Sequence, residues 1–81
     1  MNNIHILRSR MCCHIDGEYT IFTVMGDEVV VEEYEYDHSC EAVLCNAQAV
    51  PKAEARLIYS KLLKHKYIAC DSVPDPMYLV M

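Results

Sequence analysis

From Leu7 to Tyr36 the apolar positions follow the two-residue period of a strand, broken at Asp16-Gly17 and at Gly26-Asp27. Both pairs are hairpin signals, because two-residue turns need positive φ and glycine supplies it cheaply. Tyr19 to Met25 lies between them and is rich in Thr, Ile, Val and aromatics, the residues strands favour. Two hairpins sharing a middle strand follow. If each turn has two residues, the first hairpin sets Cys13 opposite Thr20, Cys12 opposite Ile21 and Met11 opposite Phe22. The second sets Phe22 opposite Val31, Ile21 opposite Glu32 and Tyr19 opposite Tyr34.

Alternation then sorts the side chains onto two faces. Met11, Cys13, Ile15, Phe22, Val24, Val29 and Val31 make a core face, spoiled by Thr20 and Glu33. The other face carries Arg10, Cys12, His14, Tyr19, Ile21, Thr23, Met25, Val30, Glu32, Tyr34 and Tyr36. Slipping either hairpin by one residue mixes the two sets.

The period changes to 3.6 after Pro51. Ala55, Ile58, Tyr59, Leu62 and Leu63 form one apolar stripe, with Pro51 at the first helical position and Lys64, His65 and Lys66 at the end. This predicts a helix from Pro51 to about Lys66 that covers the Phe22 face. Glu41 to Cys45 is read as a short fourth strand, although so short an apolar run also suits a helical turn. Tyr67 to Cys70 reads as extended, 71–76 as a loop with two prolines, and Met77 to Met81 as a short terminal strand. The expected fold is α+β: an antiparallel three- to four-stranded β-meander with one main C-terminal helix packed on one face. Residues 1–81 are expected to form a single small domain.

Charge sharpens the picture. Residues 1–45 hold nine acids against Arg8 and Arg10, whereas residues 46–81 hold Lys52, Arg56, Lys61, Lys64 and Lys66 against three acids. Seven acids and no Lys or Arg fall between Asp27 and Glu41, a surface that repels phosphate and argues against direct nucleic-acid binding. No apolar run nears the ~20 residues of a membrane span, and the N-terminus lacks a signal-peptide pattern. With an odd count of five cysteines, the expectation is reduced thiols and a cytoplasmic protein.

Candidate chemistry is sparse. Cys12, His38, Cys40 and Cys45 offer zinc-ligand types, but their spacing departs from the close pairs zinc sites use, and small apolar cysteines near a core are the plainer reading. Cys13 beside His14 lacks the geometry of a thiol nucleophile, since strand neighbours face opposite ways. Glu32, Glu33 and Glu35 read as a solvated strand edge. No cofactor motif is present; the only two glycines serve turns. The segment Ala55 to Leu63 after a meander is similar to the helix of WGR-type domains, but Met25-Gly26-Asp27 stands where their signature turn would be. No nucleic-acid role is carried over.

These residues favour a small non-enzymatic protein-binding module, an inhibitor or adaptor of the size and acidity of phage and mobile-element accessory proteins. Its expected contact residues are Tyr19, Tyr34, Tyr36, Ile21, His14 and Glu32 on the second sheet face, meeting a partner protein or a second copy. Alternatives are an acidic mimic of nucleic acid filling a basic groove, and a structural zinc domain.

Overall fold

The computed structural model describes residues 3–11, 16–37 and 41–74. The elements run β1 (Ile4–Ser9), β2 (Gly17–Met25), β3 (Glu28–Tyr36), β4 (Ala42–Pro51), α1 (Lys52–Lys64) and β5 (Tyr67–Cys70). The strands form one antiparallel sheet in the order β4-β3-β2-β1-β5. The α+β meander with one packed helix is as the sequence predicts; a fifth strand is added.

The second hairpin has the predicted register: Phe22 faces Val31, Ile21 faces Glu32 and Tyr19 faces Tyr34. Gly26 lies at φ 65°, the left-handed conformation its turn requires. The first hairpin is corrected. Leu7, not Cys13, stands opposite Thr20, and His5, not Met11, opposite Phe22. Met11 is 77% exposed, and Cys12, Cys13, His14 and Ile15 lie outside the described residues. Asp16-Gly17 is therefore not a two-residue turn between paired strands; Gly17 opens β2 opposite Tyr36. The upstream segment prevails because it places Leu7 in the core and gives β1 a second neighbour, with Ile6 opposite Cys70 and Arg8 opposite Ile68.

Helix α1 lies on the face of Leu7, Phe22, Val29, Val31 and Val50, and with Ala55 these form the core. Ile58, Tyr59 and Leu62 pack against it half-buried, and the Phe22 and Tyr59 rings meet edge to face at 5.4 Å. Leu63, expected in the stripe, is 43% exposed. Pro51 is the N-cap rather than the first helical residue. The helix carries the chain from β4 at one edge of the sheet to β5 at the other.

Just past the helix, Lys66 adopts φ 68°. A side chain in this region clashes with its own backbone, so glycine is the usual residue there. Lys66→Gly is expected to raise stability by about 0.5–1 kcal/mol, read as a higher urea midpoint; a lower midpoint would show that the lysine side chain is needed.

Candidate functional site

The aromatic residues of the second sheet face come together, but they do not stand open. Tyr19 and Tyr34 stack with ring centroids 5.1 Å apart and planes 13° from parallel. The Tyr34 hydroxyl donates to Glu32 Oε2 at 2.9 Å. That bond, which needs the proton, followed by burial and the nearby carboxylate charge, pushes the Tyr34 hydroxyl above its ordinary pKa. Burial does the same to Tyr19. Tyr19 is only 4% exposed and Tyr36 only 5%, so the row is not open; Met77–Met81, which the sequence offered as the alternative cover of this face, lies outside the described residues. Ile21, Glu32 and Tyr34 are half-buried, and His14 lies outside the described residues. Alternation assigns a side chain to a face but does not say whether the rest of the chain covers that face.

On the helix side, carboxylates gather at the end of the sheet away from the β2–β3 turn. The Tyr67 hydroxyl reaches over β1 and donates to Glu18 Oε2 at 2.7 Å. Cys45 is the extra residue where the β3–β4 register shifts between Glu33 and Tyr34. Such a bulge redirects a side chain. Here the Cys45 thiol is exposed and donates to Glu35 Oε1 at 2.9 Å. The bond and the carboxylate charge push the thiol pKa up, which slows thiolate chemistry. Glu35→Gln removes the charge, lowers that pKa and should speed alkylation of Cys45 by iodoacetamide at pH 8 severalfold, followed by peptide mass mapping. An unchanged rate would mean that the thiol does not rest on Glu35.

Of the zinc-ligand candidates, Cys12, His38 and Cys40 lie outside the described residues, and only Cys45 is placed. Among the described residues no three His, Cys, Asp or Glu side chains are grouped to hold a metal ion. Among them, too, no helix is long and apolar enough to cross a membrane.

The feature that sequence reasoning missed is β4. It runs for ten residues where five were expected, it is an edge strand among the described residues, and nine of its ten residues are exposed. Val43 is 62% exposed and Leu44 49%. From Ala42 to Pro51 it carries no charged residue, in a chain of net charge −5. An edge strand presents unpaired N–H and C=O groups, and soluble proteins usually blunt such an edge with lysine, proline or brevity. β5, at the opposite edge, is four residues long. β4 has one bulge and a proline at its last position. The available signal was the charge-free run between Glu41 and Lys52. It lacks alternation because neither of its faces is buried over most of its length. Compared with known proteins, the chain matches no family model, no curated protein sequence and no solved structure.

Proposed function

We propose that this chain is a small non-enzymatic protein-binding module, an adaptor or inhibitor, which takes a strand of its partner onto β4. The observation that carries the reading is the long, exposed, charge-free edge. Strand addition draws affinity from main-chain hydrogen bonds and specificity from alternate side chains. Val43 and Leu44, exposed on opposite faces of β4, supply apolar contacts on both sides of an added strand. β4 of a second copy fits the same edge about a two-fold axis without setting charge against charge. A reducing cytoplasm suits the exposed Cys45 thiol. The mimic reading is disfavoured, because the register puts Glu18, Glu33 and Glu35 on the helix side and Glu28 and Glu32 on the other.

The test is the double variant Asn46→Lys/Ala47→Lys. Asn46 stands opposite Glu33 and Ala47 opposite Glu32, so each lysine gains a cross-strand carboxylate and the fold should be kept. Lysines on an edge block strand addition. The parent is expected to run as a dimer or to capture a partner from its own cells, and the variant to do neither at an unchanged melting temperature. A monomeric parent that captures the same proteins as the variant would place the working surface elsewhere.

A further inference from the structure

Between the N-terminal half of α1 and the turn end of the sheet lies an open cleft of about 460 Å³. That is within the range of small-molecule sites, roughly 300–1,000 Å³. Phe22, Val24 and Val29 form its apolar floor, and Ala55 and Tyr59 its helix wall. Its rim is basic: His5, Lys52 and Arg56 line it, and no carboxylate does. Lys52 and Arg56 are one helical turn apart, so their side chains project from one helix face. Among the described residues neither has a carboxylate partner, although acids outnumber bases twelve to seven in the chain. Glu54, between them in sequence, points away from their face by helical geometry, and Glu28 belongs to the opposite side of the sheet.

An apolar floor under two cations fits a molecule with matching halves. We infer that this cleft binds a small amphiphilic anion, a flat apolar body bearing one carboxylate, sulfonate or phosphoryl group. The ring or branched body lies on Val24, over the small accessible parts of Phe22 and Val29, against the exposed part of Tyr59. The anionic head meets Arg56, whose planar fork binds two oxygens at once, with Lys52 as a second positive charge. The head also explains where specificity arises: the floor accepts many apolar shapes, but only an anion neutralises the rim. This site uses residues separate from the β4 edge and stands whether or not that edge takes a strand.

Two probes of nearly the same shape isolate the charge. 1-Anilinonaphthalene-8-sulfonate carries an anionic head, and N-phenyl-1-naphthylamine lacks it. The parent is expected to bind the sulfonate saturably at one molecule per chain and more tightly than the neutral probe. Lys52→Gln/Arg56→Gln should weaken the sulfonate by about tenfold or more, the effect of a lost charge-assisted contact. The same variant should leave the neutral probe within about twofold, since the floor is intact. Amide shifts on titration should centre on Val24, Val29 and Tyr59. Equal sulfonate binding by parent and double variant, unsaturable binding, or shifts centred on Ile21 and Tyr34 would each overturn the inference. So would a double variant that binds only an acidic peptide less well, because the occupant would then be a protein segment.

Discussion

Phe22→Ala is expected to leave the chain largely unfolded at room temperature. Phe22 is 3% exposed, faces Val31 across the β2–β3 ladder and receives the Tyr59 ring at 5.4 Å. Truncating a buried phenylalanine costs about 3–5 kcal/mol, as lost transfer energy plus the cavity left behind. A domain of this size has a total stability of the same order. Val31 and Leu7, the fully buried side chains nearest this layer, are held by strand pairing on both sides and cannot collapse into the gap. Circular dichroism with thermal melting reads the result. A cooperative melt at the parent temperature would show that the helix does not rest on this ring.

The second large effect is expected at Leu7. It is 0% exposed, and its cross-strand neighbours are Thr20 on β2 and Ala69 on β5. Both are small, so neither can fill the space that Leu7→Ala opens. The cost should therefore reach the upper part of the usual range for this truncation, about 3–5 kcal/mol. Cys13→Ala is the matched control. If Cys13 filled the core beside Thr20, as the two-residue turn at Asp16-Gly17 would have it, the two variants would exchange their effects. Urea midpoints for the pair decide between the registers: a large drop for Leu7→Ala alone supports the one described.

These two positions show which parts of the fold the residue pattern could carry. The β2–β3 register was legible because the turn is two residues long and glycine marks its positive-φ position, leaving one way to pair Phe22 with Val31. The β1–β2 register was not. Moving from Cys13 to Leu7 opposite Thr20 is a slip of six positions, an even number, so the residues of β2 keep their faces and odd-numbered residues of β1 still face the helix. Alternation detects odd slips and is blind to even ones. The helix was legible from Ala55, Ile58, Tyr59 and Leu62, because a stripe at helical spacing has one buried side. β4 was cut short because most of its residues bury neither face and so leave no periodic trace. For the site, the stacking of Tyr19 on Tyr34 follows from their opposed positions, whereas the burial of Tyr19 does not follow from alternation.

The β1–β5 pairing bears on how the chain comes off the ribosome. Ile6 meets Cys70, and the Cys70 thiol donates to the Ile6 carbonyl across a separation of 64 residues. The β2–β3–β4 ladder, by contrast, joins strands that follow one another directly. Local pairings close small loops and can form as soon as their residues emerge, while a loop this long costs more entropy and closes later. Until residues 67–70 have been made, β1 has β2 on one side and no described strand on the other, so the six-residue β1 is itself an edge of the nascent sheet. Synthesis of β5 covers β1 and exchanges that edge for one four residues long, while β4 stays the long edge among the described residues.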